Sequence, residues 1–572
     1  MEHSIIIAGS GGQGILFLGR LMAYATMLEG KEVTWMPSYG AEMRGGTANC
    51  TVIISDEMIG SPVVRNPAIL VAMNDASYNR FACKLLSGGT LLYDSSLIKR
   101  TEHRNDIKAL GVPASMLSST LNSTKLANMV LMGAIVAFAA ACVSWEIKDR
   151  EKEFYILLLV MTGGILGAFA SLDLFFFYFF HELALVPTFI MIGVWGRGEQ
   201  KNYATFQITL YLSIGALIAL IGLIALYLQS GAGTFDIPTL MRFICGTPEN
   251  RFTDAHPLAG GAQRFIFPLL LFGFGILVSL WPFHTWAPLG YGCAPAPTAM
   301  LHAGVLKKFG LYGLLRIALP LMPQAAQHWM PILAWLCLGN ILYVGWVAMR
   351  QRDLNLLFGN SSVAHMGVIF LGLASLNLLG VTGAVVIMVA HGFLAALLFG
   401  LSGYLRQQTG TLEMDRLGGL AGKLRFIGVA LTMAALAGCG LPGFANFVGE
   451  VSVFFGAWKA FPFITVLALW GGLVIGGIYM TRAVRNILHG PLPEKWNSIT
   501  AVTHLWRKLP YALLLACLLV FGFLPKLLTE KINPDAEKVV SSYTQQVASS
   551  PSGDVKPKAD STGDRQLAIE NK

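Results

Sequence analysis

Charge is scarce in this sequence. Asp, Glu, Lys and Arg make up 13% of the 572 residues, while 54% are hydrophobic and the mean hydropathy is +0.59. An average soluble domain carries about 25% charged residues, so the shortfall excludes an ordinary water-soluble globule. The apolar content excludes a disordered chain. Cysteine is present but not in scaffold spacing. Cys50, Cys83, Cys142, Cys245, Cys293, Cys337, Cys439 and Cys517 include no C-x-x-C pair. A disulfide framework, a zinc ribbon and a protein-held iron–sulfur cluster are therefore not expected, and no metal site is. The opening Met1-Glu2-His3-Ser4 lacks a basic n-region and a cleavage site, so no secretory signal is expected. The net charge of +9 is not that of a nucleic-acid binder. Residues 1–143 hold 11 Lys/Arg against 10 Asp/Glu, and the excess sits further on, in short loops between apolar runs.

Two textures meet near residue 145. The first is that of an α/β domain, assigned to 1–143. A short apolar run, Ile5 to Ala8, meets the cluster Gly9-Ser10-Gly11-Gly12-Gln13-Gly14, and a helix-like stretch follows from Ile15 to Leu28. Val33 to Met36, Thr47 to Ile54, Ala68 to Met73 and Thr90 to Asp94 predict further strands, and strands alternating with helices favour a layered α/β fold. After Glu153, apolar stretches near the ~20-residue spanning length recur. They predict about eleven transmembrane helices over 144–527, in an all-α polytopic bundle, because backbone in lipid must satisfy its own hydrogen bonds. Two of these helices read as broken, at Trp281-Pro282 and Leu441-Pro442-Gly443, since proline removes a backbone donor where a helix can line a cavity. Paired interruptions in two halves point to inverted repeats around an ion path. The stretch Leu126–Val143 reads as the last helix of the α/β domain, although it is almost long enough to span. Residues 528–572 read as a polar, disordered tail.

If the chain enters its first span from the cytoplasm, the inside loops carry sixteen Lys/Arg and the outside loops four. That count predicts a multi-pass protein of the cell inner membrane with its N-terminal domain in the cytoplasm, where free thiols stay reduced.

Ionisable side chains inside apolar spans cost roughly 2.5–3.5 kcal/mol each on insertion scales, so each is a functional candidate. Glu182, Lys307, Lys308, His365, His391 and Glu450 stand out. Each has a bland alternative. A lone histidine can simply bond a neighbouring helix, and one of two adjacent lysines can snorkel. As a set on five helices they read as a proton relay. Burial disfavours a lysine's charged form and a nearby carboxylate favours it, so such a lysine can change protonation when the carboxylate moves.

These motifs carry a resemblance. Phe-Phe-His-Glu-Leu-Ala-Leu-Val-Pro at 179–187, Pro-Phe-His-Thr-Trp-Ala-Pro at 282–288, Leu-Lys-Lys-Phe-Gly-Leu-Tyr-Gly-Leu at 306–314, Ser-Ser-Val-Ala-His-Met-Gly at 361–367 and Leu-Pro-Gly-Phe-Ala-Asn-Phe-Val-Gly-Glu at 441–450 resemble the antiporter-like subunit M of NADH–quinone oxidoreductase, respiratory complex I. The resemblance covers about 145–525. It implies Glu182 as the input-side acid, Lys308 as the middle-helix lysine, His365 and His391 as central relay groups and Glu450 at the output side. Lys307 is a further relay candidate. Where the family usually has a lysine in the first broken helix, this chain has Leu277, and Lys307 or Lys308 is the candidate substitute. The three helices that precede the first span in the family are not recognised here. The N-terminal 1–140 resembles a truncated gamma subunit of 2-oxoacid:ferredoxin oxidoreductases, on the glycine cluster and on Ser38-Tyr39-Gly40-Ala41-Glu42-Met43-Arg44-Gly45-Gly46-Thr47-Ala48. A glycine-rich turn at a helix N-terminus can hold an anion, which makes Gly9, Gly11, Gly12, Gln13, Gly14 and Arg44 cofactor-site candidates. The same glycines can serve only to seat the helix on the sheet.

By resemblance the chain is a proton-translocating subunit that holds no cofactor alone. NADH, FMN, iron–sulfur clusters and quinone belong to partner subunits. The partners implied are the antiporter-like subunits L and N, subunit K, and the alpha and beta subunits of a 2-oxoacid:ferredoxin oxidoreductase, with no nucleic acid. The alternatives are a cation/proton antiporter subunit, a membrane-anchored 2-oxoacid:ferredoxin oxidoreductase gamma subunit, and a join produced by a merged or deleted gene. A real fusion appears as a single chain of 61.8 kDa in membranes. Two smaller products would assign the halves to separate genes.

Overall fold

The computed structural model describes residues 3–9, 15–28, 31–38, 48–57, 59–95, 97–99, 104–112, 124–245, 256–499 and 504–548. The chain divides into two compact units, Met1–Ser123 and Thr124–Lys572.

The first unit is built on a six-stranded mixed sheet. Its elements are β1 (His3–Gly9), α1 (Ile15–Leu28), β2 (Glu32–Ser38), β3 (Ala48–Ser55), β4 (Ile69–Ala72), α2 (Asp75–Phe81), β5 (Thr90–Asp94) and β6 (Lys108–Val112). The order across the sheet is β2-β3-β1-β4-β5-β6, antiparallel on the β2-β3-β1 side and parallel from β1 onward. The uninterrupted apolar run of β1 reflects cover on both faces. Ile6 and Ala8 join Leu70, Leu91, Tyr78 and Phe81 on one side, while Ile5 and Ile7 join Cys50, Val52, Ile15 and Ala23 on the other. The strand β6 has no counterpart in the sequence reading. It lies at the sheet edge with Leu110 exposed, so it lacks the apolar alternation that marks the other strands. Gly19 of α1 lies against β3, where a β-carbon would collide with Cys50 Sγ. The Cys50 thiol is buried, reaches Ile15 O at 3.5 Å and is pushed above its usual range by desolvation.

The second unit is helical. It comprises α3 (Thr124–Val143), α4 (Glu151–Ala170), α5 (Leu174–Trp195), α6 (Lys201–Ser230), α7 (Ile237–Cys245), α8 (Gly260–Val278), α9 (Trp286–Cys293), α10 (Ala296–Gly304), α11 (309–321), α12 (Pro323–Arg350), α13 (Leu354–Ala374), α14 (Leu378–Thr409), α15 (Arg425–Gly438), α16 (Ala445–Ala460), α17 (Pro462–Leu488), α18 (Leu505–Phe523) and α19 (Lys526–Ala548). Among the described residues nine helices are long and apolar enough to span a membrane: α4, α5, α6, α8, α12, α13, α14, α17 and α18. The other two expected spans are present in pieces, as α10 with α11 and as α15 with α16. Both predicted breaks are real. The helix α8 ends at Val278, with Ser279 left-handed at φ 70°, and α15 ends before Gly440 and Gly443, both at positive φ. A third break was not legible. Val305 leaves helical geometry between α10 and α11, just ahead of the two lysines.

The halves repeat one device. Asp173 caps α5 by accepting from the N–H groups of Phe175 and Phe176 at 2.8 and 3.1 Å, and bridges to Asp236. Asp353 caps α13 by accepting from Asn355 and Leu356 at 2.8 and 3.0 Å, and bridges to Glu413. Each aspartate thus caps a helix with its carboxylate, and its backbone, through an antiparallel β-bridge, ties that helix to the segment following the next one. This is what an internal repeat requires.

Two readings of the sequence change. Thr124–Val143, read as the end of the α/β domain, packs along α4, α10, α14 and α18 of the helical unit, and also meets α19. Just past its C-terminal end, the Trp145 ring lies 3.9 Å from the Arg507 guanidinium, at the start of α18. Its C-terminal end therefore meets the start of α18. Its apolar stripe of Met129, Met132, Val136, Ala139 and Val143 is buried. The tail read as disordered from 528 is helical to Ala548. Leu528, Ile532 and Ala536 recur every fourth residue and are buried, and Asn533 Oδ1 accepts from Thr382 Oγ1 at 2.9 Å. Residues 549–572 lie outside the described residues.

The contrast between Cys50 and the exposed Cys83 is testable. Iodoacetamide is expected to label Cys83 in the native protein and to reach Cys50 only on unfolding. Equal labelling of both would contradict the packing of α1 on β3.

Candidate proton-relay site

The two most buried spans, α13 and α14, form the axis of the bundle and carry His365 and His391. The break at Val305 turns Lys308 into that axis. Its ammonium donates to Ala303 O at 2.6 Å, a carbonyl in the last turn of α10, and stands 2.9 Å from His391 Nδ1. The His391 and His365 rings lie 5.3 Å apart, centre to centre. His365 Nδ1 is held by its own helix, 2.8 Å from Ser361 O, which turns Nε2 toward Glu450 Oε1 at 3.8 Å. That gap is too long for a hydrogen bond. A cavity of about 20 Å³ opens there, lined by His365, Ala364, Glu450, Tyr479 and Gly471, with room for one water. Glu450 itself is seated against the break between α15 and α16, where a β-carbon on Gly440 would collide with its carboxylate. Four of the six candidates thus form one buried series: Lys308, His391, His365 and Glu450.

Lys307 diverges from it. Its ammonium lies 3.4 Å from Ser362 Oγ and 5.7 Å from the centre of the Tyr291 ring. Glu182 stands apart from both. It is about a third exposed on α5, with His181 Nδ1 3.4 Å away, and His181 stacks on Phe309 at 4.0 Å between ring centres. Among the described residues neither Lys307 nor Lys308 has a carboxylate within 4.0 Å. Leu277, where the resemblance led to the expectation of a lysine, is buried in α8. The structure thus brings together four of the six expected relay residues and leaves Glu182 and Lys307 apart from that series.

Sequence reasoning missed three polar positions. Ser361 and Tyr479, 3.1 Å apart, fix the far wall of the Glu450 cavity. Asn340, on a π turn at Gly339–Tyr343 inside α12, accepts from Trp281 N at 2.7 Å and donates to Ser279 O and Val363 O at 2.9 and 3.1 Å. It satisfies the backbone freed by the first break and ties it to α13. A lone Asn in an apolar run offers no spacing signal of such a role. Of the glycine-site candidates, Gly9 ends β1 paired with Ala48, while Gly11, Gly12, Gln13, Gly14 and Arg44 lie outside the described residues. Among the described residues no cluster of three His, Cys, Asp or Glu could hold a metal ion.

Broken helices in both halves, a repeated capping device and an axial series of ionisable groups define an antiporter-like membrane unit. Comparison with known proteins makes the class specific. The chain belongs to the NADH:quinone oxidoreductase/Mrp antiporter transmembrane family, whose model matches residues 170–476. Residues 4–152 match the pyruvate ferredoxin/flavodoxin oxidoreductase family, a match that runs past the unit boundary and through α3. The chain is 34% identical to NADH-quinone oxidoreductase subunit M of Rhodobacter capsulatus over 401 residues, 70% of this chain and 77% of that one. It is 31% identical to NAD(P)H-quinone oxidoreductase chain 4-1 of a Synechocystis species over 431 residues, 74% and 79% of the two chains. Among solved structures it superposes on a chain of respiratory complex I from Thermus thermophilus with bound NADH, at TM-score 0.67 and 29% identity, covering 73% of this chain and 85% of that one. A chain of the Mrp complex from a Dietzia species shares the fold at TM-score 0.62 and 20% identity, covering 76% and 85%.

Asn340→Leu leaves the Trp281 N–H and the Ser279 carbonyl without this partner, at about 1–3 kcal/mol for each unsatisfied group, while the Val363 carbonyl remains within the helix α13. The variant is expected to lower the melting temperature of the detergent-solubilised protein. An unchanged melting temperature would contradict this bracing role.

Proposed function

We propose that this chain is a proton-translocating membrane subunit of a respiratory NADH–quinone oxidoreductase. Lys308, His391, His365 and Glu450 carry protons through the bundle, and Glu182 and Lys307 serve the input side. The supporting observation is the buried series from Lys308 Nζ to the Glu450 carboxylate, with a hydrogen-bond contact at one end and a water-sized cavity at the other. A charge moved against 100 mV costs about 2.3 kcal/mol, so the work must come from electron transfer in partner subunits that hold NADH, flavin, iron–sulfur clusters and quinone. The partners fitting this reading are the other antiporter-like subunits and subunit K.

In this reading the Arg- and Lys-rich loops face the cytoplasm across the cell inner membrane. The N-terminal domain is placed on the same, cytoplasmic side. An impermeant maleimide is expected to label the exposed Cys83 in inverted vesicles. Labelling confined to right-side-out vesicles would overturn the cytoplasmic placement.

Lys308→Ala and Glu450→Ala are each expected to abolish proton pumping by the assembled complex in vesicles. Pumping retained by both variants would overturn the proposal. Sodium-dependent transport without quinone reduction would instead assign the chain to a cation/proton antiporter.

A further inference from the structure

The series through Lys308 leaves a second buried cluster unexplained. Lys307 is as fully buried as Lys308, yet its Nζ points to Ser362 and over the Tyr291 ring. The Tyr291 hydroxyl stands 3.0 Å from His302 Nδ1, and both residues are buried. The other ring nitrogen of His302, Nε2, is buried with no hydrogen-bond partner among the described residues. No carboxylate balances the cluster among those residues. A purely structural histidine in an apolar bundle would have both nitrogens satisfied, because an orphaned one costs free energy that a leucine avoids.

Its placement supplies a reason. His302 lies on α10, which touches α5, the helix of His181 and Glu182. Lys307 lies on the same broken span, one residue from the lysine of the central series. The cluster therefore stands between an input acid without a lysine and an axis that needs protons, while α8 offers only Leu277.

We propose that His302, Tyr291 and Lys307 form a second proton-loading arm that replaces the lysine absent at Leu277 and feeds the axial series from the Glu182 side. The inference rests on the translocation reading above and adds two residues to it. A proton binding at His302 Nε2 releases the Nδ1 proton to the Tyr291 oxygen. The Tyr291 hydroxyl proton then passes through one water to the neutral Lys307 amine. One N–H bond forms at each end, one N–H and one O–H break, and an O–H re-forms on Tyr291. One proton moves and no electrons do. Holding His302 and Lys307 charged together in this pocket is disfavoured by like-charge repulsion, so loading one empties the other.

The test is proton yield per quinone reduced by the assembled complex in inverted vesicles. His302→Gln and Tyr291→Phe, which keep bulk and remove the relay, are expected to lower the yield to the level of Lys308→Ala. Adding Leu277→Lys to His302→Gln is expected to restore it. Unchanged yield in both single variants overturns the arm, as does a loss in His302→Gln that Leu277→Lys leaves unrelieved. If Lys308→Ala and Glu450→Ala both pump normally, the translocation reading fails and the arm falls with it. If Lys308→Ala loses pumping while His302→Gln and Tyr291→Phe keep it, the arm alone fails.

Discussion

The structure depends on how an ammonium can be held inside an apolar bundle with, among the described residues, no carboxylate beside it. Lys308 is fully buried, and its hydrogen-bonding groups are a carbonyl from its own broken span and one imidazole nitrogen. An unbroken helix would spend the Ala303 carbonyl on its own ladder. The departure from helical geometry at Val305 frees that carbonyl and aims the side chain inward. Ionisable groups are tolerated at membrane depth only where they face the bundle interior and find such partners.

The breaks share this logic and divide the work. Asn340 braces the first, tying the Ser279–Trp281 turn to α13. The loop between α15 and α16 cradles Glu450, and Gly440, at positive φ, leaves space for the carboxylate. Between the broken helices stand the two that are buried along almost their whole length, α13 and α14, so His365 and His391 are set on rigid, fully packed elements. The Asp173 and Asp353 caps repeat the same connection in the two halves. The ionisable residues stay few because the bundle satisfies only the ones it surrounds.

Much of this was legible in the chain. Spans, both proline-marked breaks and the set of charged candidates all follow from local rules, because lipid demands long apolar runs and makes every buried charge conspicuous. The edge strand β6 was not legible, since its exposed face lacks an apolar signature. Neither was α19. Its polar composition hides an apolar stripe at Leu528, Ile532 and Ala536 that matters only once a bundle surface exists to receive it. Leu126–Val143 reads as part of the preceding domain from the loop charges and the lack of a signal, but a helix apolar on several faces belongs to whichever surfaces it packs against.

The sequence by itself marked candidates to carry a proton: Glu182, Lys307, Lys308, His365, His391 and Glu450 are the ionisable residues that stood out in its apolar spans, which also contain His181 and His302. Only the tertiary structure decided which of them connect. Lys308 and His391 are 83 residues apart in the chain and 2.9 Å apart in space, while Lys307, the next residue to Lys308, turns to another partner set. The physical reason is that periodicity along one helix fixes which side chains share its face. The choice of facing helix, and the direction a side chain takes where a helix breaks, is set by packing among elements far apart in sequence.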